Sequence, residues 1–258
     1  MGGLKTSIVT GATQGIGKAI ALALLADGGR VIAIGRSPEK LEALVREAGD
    51  SAGRLIGEPL DIADSAGFQA RVGQWITAFG GIDHLVNAAG ILEPGRLLEM
   101  TPDSLRRVTE TNFTATLALT LPVARHMADR RRGSIVTIGS NSGTTPRVGL
   151  GVYPASKAAL IHAMKCLGLE LAERGVRCNI VSPGSTNTEM QRQTQAATTG
   201  LDGVLNGDPK TWRLGIPLGR LAEVEDVCDL VLFLLSDRAR HITMENIVID
   251  GGATLGTG

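Results

Sequence analysis

The stretch Thr6-Ser7-Ile8-Val9-Thr10-Gly11-Ala12-Thr13-Gln14-Gly15-Ile16-Gly17 runs a short β-branched segment into a glycine-rich turn, and an amphipathic helical pattern starts at about residue 16. A strand that turns through glycines into a helix brings free backbone N–H groups and the positive end of the helix dipole to one point, where an anion binds. Glycines also let the backbone approach a pyrophosphate closely. The spacing is TGxxxGxG and not GxGxxG, and a tight packed turn without a ligand would use the same glycines. Its position after the first strand favours a dinucleotide held by Gly11, Thr13, Gln14, Gly15, Ile16 and Gly17.

Outward from this turn the pattern repeats. Strands are expected at Thr6–Thr10, Arg30–Ile34, Arg54–Pro59, His84–Asn87, Ser134–Ile138, Arg177–Val181 and Ile247–Asp250, with helices at about 16–27, 38–48, 64–79, 102–129, 154–173 and 223–235. Ser37-Pro38 and Thr101-Pro102 each set a capping hydroxyl before a first-turn proline. Such alternation predicts an α/β fold, a doubly wound parallel sheet between two helical layers. No repeat or linker interrupts it, so 1–258 reads as one domain, folded from residue 4 to about 255. Residues 185–215, rich in Ser, Thr, Gln, Asn and Gly, read as a long irregular insertion that forms a lid or else a disordered loop. Trp212, Leu214, Ile216 and Leu218 offer it apolar surface with which to dock.

Composition narrows the function. With 258 residues, 43% hydrophobic and 20% charged, the chain can bury a real core. A formal net charge of +0 gives no footprint for nucleic acid, and Arg130-Arg131-Arg132 reads as a solvated turn. Cys166, Cys178 and Cys228 form no CxxC pair and have no His at ligand spacing, so they are expected to be buried apolar residues in a reducing compartment, with no metal. From Gly2-Gly3 the chain enters a strand without a signal-like segment, and no run approaches the ~18–20 apolar residues of a membrane span. A cytoplasmic protein without membrane or nucleic-acid partners is expected.

Other strand ends extend the candidate site. Asp61, beside Ile62, is placed to accept from an adenine amino group or to cap the next helix. Asn87-Ala88-Ala89-Gly90 presents small residues to a ribose. The second strand ends Ala33-Ile34-Gly35-Arg36-Ser37, without the acid that holds the 2′-hydroxyl of NAD. Arg36 suits the 2′-phosphate of NADP, or is a surface residue at a helix start. Gln14 occupies the loop position where a second basic residue often stands.

Tyr153-Pro154-Ala155-Ser156-Lys157 opens a long helix and contains the only tyrosine. Residues four apart share a helical face, so Lys157 reaches the phenol. A phenol titrating near 10 needs a shift of ~3 units, ~4 kcal/mol, to act as a base at pH 7. An ammonium at ~4 Å in an effective dielectric near 20 supplies about that much. Ser140, at a strand end thirteen residues earlier, is placed to hold a substrate oxygen; Ser142 lies further out on the loop. Asn112, in a helical stretch, either holds a relay water for Lys157 or kinks the helix.

Together, TGATQGIG, NAAG, Asn112, Ser140, Tyr153 with Lys157, and Pro183-Gly184 resemble the short-chain dehydrogenase/reductase family over the whole chain. The resemblance implies a Rossmann-like seven-stranded sheet, usually in a homotetramer, and the catalytic set Asn112, Ser140, Tyr153 and Lys157. It also implies NAD or NADP touched by Tyr153, Lys157, Pro183, Gly184, Thr186 and Thr188. Thr145-Pro146-Arg147, residues 182–192, Leu214-Gly215-Ile216-Pro217-Leu218-Gly219 and the ending Asp250-Gly251-Gly252-Ala253-Thr254-Leu255-Gly256 are similar to the branch of the family that oxidises 2,3-dihydro-2,3-dihydroxybenzoate in catechol siderophore synthesis. That branch implies NAD and a carboxylate substrate, for which Arg147 and Arg192 are the candidate cations, or else surface charges. The Gly35-Arg36 departure means a changed cofactor or a different substrate, and the alternatives are a generic NADPH-dependent carbonyl or 3-oxoacyl reductase and a dehydrogenase of dihydro-3-hydroxyanthranilate. A non-catalytic nucleotide sensor would have lost one of the four catalytic residues, and none is lost.

Overall fold

Alternating burial along the strands decides how the layers stack. In the computed structural model, which describes residues 4–198 and 200–256, every residue of β1 (Thr6–Thr10) is buried. Side chains of a strand alternate between faces. Accordingly Ile8, Ile32, Ile34, Leu85, Ile135 and Ile180 belong to one core, and Val9, Val31, Ala33, Val86, Val136 and Val181 to the other. The first is closed by α3 (Ser65–Phe79), α5 (Thr116–Asp129) and α6 (Tyr153–Ala172) through Phe68, Trp75, Leu119, Leu160 and Met164. The second is closed by α1 (Gly15–Ala26), α2 (Pro38–Glu47) and α9 (Val224–Leu235) through Ile20, Leu24, Leu41, Val231 and Leu234.

Seven parallel strands form the sheet between them, in the order β3 (Leu55–Pro59), β2 (Arg30–Gly35), β1, β4 (His84–Asn87), β5 (Gly133–Ile138), β6 (Val176–Pro183) and β9 (Asn246–Ile249). This is a single Rossmann-like domain. The order reverses between β1 and β4, and in such sheets the crevice at the strands' carboxyl ends is where ligands bind. The expected caps form: Ser37 Oγ accepts from Lys40 N and Thr101 Oγ1 from Ser104 N, both at 3.2 Å.

Several expectations need correction. Segment 185–215 is not irregular: it holds α7 (Glu189–Ala197), α8 (Gly200–Leu205) and the ribbon β7 (Gly207–Asp208)/β8 (Arg213–Leu214). Its polar residues are a solvent face, and Thr188 caps α7 through Gln191 N. Trp212 and Leu218 do not dock; they are 89% and 71% exposed, and only Ile216 joins a small cluster with Val204 and Ala253. The helix expected over 102–129 divides into α4 (Pro102–Thr109) and α5 around a π turn at Glu110–Ala115, centred on Asn112. Arg130 and Arg132 are not merely solvated, because both pair with Asp83. Cys166 is exposed, on the outer face of α6, whereas Cys178 and Cys228 are buried. Gly2 and Gly3 lie outside the described residues.

Candidate active site

A cleft of about 610 Å³ opens along the carboxyl ends of the strands. One end is built by the first βα turn. Gly11 has φ +64°, and a Cβ there would stand 2.8 Å from Ala89 Cα, so β1 and β4 approach as closely as they do only with glycine here. Thr10 Oγ1 fastens the two strand ends by accepting from Ala88 N and Ala89 N at 3.1 and 3.2 Å. The N-terminus of α1 has no side-chain cap and no acid in its first turn, which leaves its N–H groups free for an anion.

Gly11, Thr13, Gln14, Gly15, Ile16, Gly17, Arg36, Asp61, Ile62, Ala88 and Gly90 all line the cleft. So do Ser140, Arg147, Tyr153, Lys157, Pro183, Gly184, Thr186 and Thr188. Asn87, Asn112 and Arg192 are not among its walls. Asn87 is 1% exposed and donates to Thr120 Oγ1 and Thr137 Oγ1, which ties β4 to α5 and β5. Asp61 Oδ1 accepts from Ala63 N at 3.0 Å, a local turn contact. Arg192 is held by Glu189 and by Asn187 Oδ1 on the exposed face of α7.

Besides Arg107, which Glu93 holds, two lining cations went unread in the sequence. Lys40, in the first turn of α2, donates to Gln14 Oε1 at 3.0 Å, so a second cation lines the cleft besides Arg36 where the glycine loop itself lacks one. The other is Arg213 of β8. The signal for Lys40 was its place in the first turn after Ser37-Pro38; β8 is too short for any period to show.

Deeper in, Tyr153 is the first residue of α6 and Lys157 lies one turn on, 4% exposed. Lys157 Nζ donates to Ile138 O at 2.8 Å and stands 5.8 Å from the Tyr153 ring centre. The electrostatics differ from the simple expectation. Loss of water pushes the phenol up to about 12, opposed by its hydrogen bond with Ser140, and pushes Lys157 down to about 8. Burial disfavours both charged forms, so it outweighs the attraction that the surface-like dielectric suggested. Lys157 nevertheless remains mostly protonated at pH 7. Ser140 and Ser142 are both buried, with their hydroxyls 2.8 Å apart, so Ser142 is a partner of Ser140 and not an outlying loop residue.

Asn112 is fully buried. Its Oδ1 accepts from Ile91 N, and its Nδ2 donates to Ile91 O and to Ser156 Oγ. The widened π turn therefore clamps the segment after β4 to the residue next to Lys157. A Cβ at Gly90 would meet Asn112 Oδ1 at 3.3 Å and Lys157 Nζ at 3.5 Å, which shows how tightly these groups converge.

The family model for short chain dehydrogenase matches residues 5–199. The chain belongs to this family. As a short-chain dehydrogenase it is an oxidoreductase that uses a nicotinamide cofactor. It is 44% identical over 252 residues to the 2,3-dihydro-2,3-dihydroxybenzoate dehydrogenase of Bacillus subtilis (strain 168), covering 98% of this chain and 97% of that one. It is 35% identical over 249 residues to the 3-oxoacyl-[acyl-carrier-protein] reductase FabG of Escherichia coli (strain K12), covering 96% of each. This short-chain dehydrogenase superposes on the structure of ElxO with NADP bound at a TM-score of 0.87 and 26% identity, covering 98% and 99% of the two chains. Among the described residues no helix is long and apolar enough to cross a membrane, and no cluster of His, Cys, Asp and Glu could hold a metal.

Proposed function

We propose that this short-chain dehydrogenase oxidises 2,3-dihydro-2,3-dihydroxybenzoate to 2,3-dihydroxybenzoate, with NADP as the preferred cofactor. The observation that carries the substrate is Arg147, a part-buried guanidinium in the same cleft as Ser140 and Tyr153 with no carboxylate within 4.0 Å among the described residues. A substrate carboxylate supplies the missing partner. The 44% likeness to a dihydrodiol dehydrogenase, against 35% to an oxoacyl reductase, supports the same choice.

The uncapped start of α1, the close approach at Gly11 and the cations Arg36 and Lys40 fit a dinucleotide phosphate. Gly11, Thr13, Gln14, Gly15, Ile16 and Gly17 would hold its pyrophosphate side. Asp61, Ile62, Ala88 and Gly90 would hold its adenosine side, and Pro183, Gly184, Thr186 and Thr188 its nicotinamide side. Preference for NADP is supported by sterics as well as charge. A Cβ on Gly35 would overlap Thr13 Cγ2, with Thr13 Oγ1 at 3.4 Å. An acid for the 2′-hydroxyl of NAD would thus have to displace Thr13 at the end of β2. When bound, the oxidised nicotinamide supplies the hydride acceptor and a positive charge that favours phenolate.

The protein's own groups handle the proton. Tyr153 takes it from the C3 hydroxyl, whose oxygen Ser140 orients, while the C3 hydrogen leaves as hydride. Lys157 stabilises the phenolate, and Asn112 fixes Lys157's surroundings through Ser156. The resulting ketone becomes a catechol by moving the C2 proton to oxygen, and aromatisation draws the reaction forward. A cytoplasmic homotetramer serving catechol siderophore synthesis completes the proposal, on the strength of the resemblance.

The test offers the enzyme the dihydrodiol with NADP or NAD and follows catechol fluorescence, beside a 3-oxoacyl thioester with NADPH. Faster turnover of the dihydrodiol, and of NADP over NAD, is expected. Efficient reduction of the thioester with no catechol formed would overturn the substrate.

A further inference from the structure

Arg213 stands out because its strand is inverted. On β8 and its approach, Trp212 and Leu214 are 89% and 52% exposed, while Arg213 between them is part-buried and lines the cleft. Leu214 follows Arg213 on the extended strand and faces the other way, whereas Trp212 stands in the left-handed region at φ +55° where the chain turns into the strand. Leaving Leu214 and Trp212 in water while a guanidinium lies inward forgoes burial energy, so the inward cation needs an explanation.

Asp208, its cross-strand neighbour, makes no direct ion pair with it. Among the described residues Arg213 makes one hydrogen bond, from Nη2 to Ser185 Oγ at 3.0 Å, and no carboxylate lies within 4.0 Å. The other cleft arginines divide into two kinds. Arg107 is gripped by Glu93 through two nitrogens, whereas Arg147 has only the backbone oxygens of Pro146 and Ala253, at 3.4 and 3.3 Å. Arg147 and Arg213 are near enough that the charge of the first, after burial, disfavours the charge of the second; Asp208 only partly offsets this. Burial disfavours Arg147 in the same way. Two converging, half-desolvated guanidiniums are costly unless an anion joins them.

We propose that Arg213 is a specificity-determining residue that, with Arg147, grips the substrate's carboxylate from the lid side of the cleft. This deepens the proposed function and rests on its carboxylate substrate, while making a separate demand: the ligand is an anion held from both walls. Arg147 comes from the loop between β5 and α6, and Arg213 from the ribbon of the lid. An anion between them therefore tethers the lid to the catalytic loop and sets the diol ring against Ser140 and Tyr153. A neutral ring lacks that tether. Arg192, bound to Glu189 on the outer face of α7, takes no part.

The experiment measures binding of 2,3-dihydroxybenzoate and of catechol, by ligand fluorescence with NADP present, to the wild type, Arg213→Ala and Arg213→Lys. KM and kcat for the dihydrodiol are measured alongside. The wild type should prefer the carboxylate. Arg213→Ala should lower that preference by about 10-fold or more, the size of a lost charge-assisted hydrogen bond, and raise KM more than it lowers kcat. Arg213→Lys should recover part of the preference. Equal weakening of both ligands would show a packing role and overturn the inference, as would an undiminished preference in Arg213→Ala. If the wild type prefers the carboxylate and Arg213→Ala loses that preference, yet no dihydrodiol is oxidised, the anion clamp stands and the substrate assignment fails. If the wild type does not distinguish the two ligands, both fail.

Discussion

Replacing Gly35 by Asp tests why this cleft favours NADP. The substitution installs the acid that would bind a ribose 2′-hydroxyl, but its Cβ runs into Thr13 Cγ2, with Thr13 Cβ and Oγ1 at 3.4 Å. Threonine is stiff about χ1, so relieving the overlap takes either an unfavourable rotamer of Thr13 or a shift of the glycine loop. Overpacking of this kind costs about 1–3 kcal/mol, equivalent to a fall of about 2–12 °C in melting temperature for a domain of this size. Gly35→Asp alone should therefore melt earlier and work poorly with both cofactors: the carboxylate repels a 2′-phosphate, and the displaced loop holds neither pyrophosphate well. Adding Thr13→Ala removes the overlap, so the double variant should regain stability and use NAD better than NADP. Thermal unfolding and kcat/KM for each cofactor, on wild type, both single variants and the double variant, read these outcomes. If Gly35→Asp is as stable as the wild type and already efficient with NAD, Thr13 is not the barrier. A wild type that prefers NAD would refute the roles of Arg36 and Lys40 together.

Tyr153→Phe should lower turnover by ~10²–10⁴-fold, the range of a lost general base; a fall below tenfold in single-turnover measurements would remove Tyr153 from the chemistry. Asn112→Ala removes the side-chain partner of Ile91 N and Ile91 O and the bond that Ser156 Oγ accepts, leaving Ser156 only its bond to Tyr153 O. At about 1 kcal/mol for each lost bond the melting temperature should drop by roughly 6–12 °C, and calorimetry showing under 2 °C would contradict the clamp. Lys157 has its folded pKa depressed from 10.5 to about 8. Its charged form thus penalises the fold below about pH 8, and the penalty fades as pH rises toward 10.5. Urea denaturation should show the wild type gaining roughly 3 kcal/mol relative to Lys157→Met between pH 7 and 10.5, and a constant difference would mean that Lys157 is not desolvated.

What the sequence disclosed and what it hid divide along one physical line. Signals carried by consecutive residues were legible: β-branched strands buried on both faces, Ser37-Pro38 and Thr101-Pro102 at helix starts, the glycine turn, and Tyr153 with Lys157 one turn apart. Signals made by residues distant in the chain were not. Lys40 and Gln14 meet across two βα turns, 26 positions apart. Arg213 gains its meaning from exposed neighbours on a two-residue strand. The π turn at Asn112 depends on bonds to Ile91 and Ser156, on two other segments. One error was avoidable from local information. Had residues 189–197 been read as a helix, Glu189 and Arg192 at i and i+3 would have paired on paper as they do in the structure, leaving Arg147 as the unpaired candidate. The phenol's pKa failed for a different reason, because a surface-like dielectric credits the attraction of Lys157 and omits the desolvation of both groups. Burial here favours a neutral phenol and weakens the ammonium beside it, so a positive charge arriving with the cofactor would favour the base form. The pair is then a switch thrown by binding, and a proton released when the oxidised cofactor joins the wild type but not Tyr153→Phe is its signature.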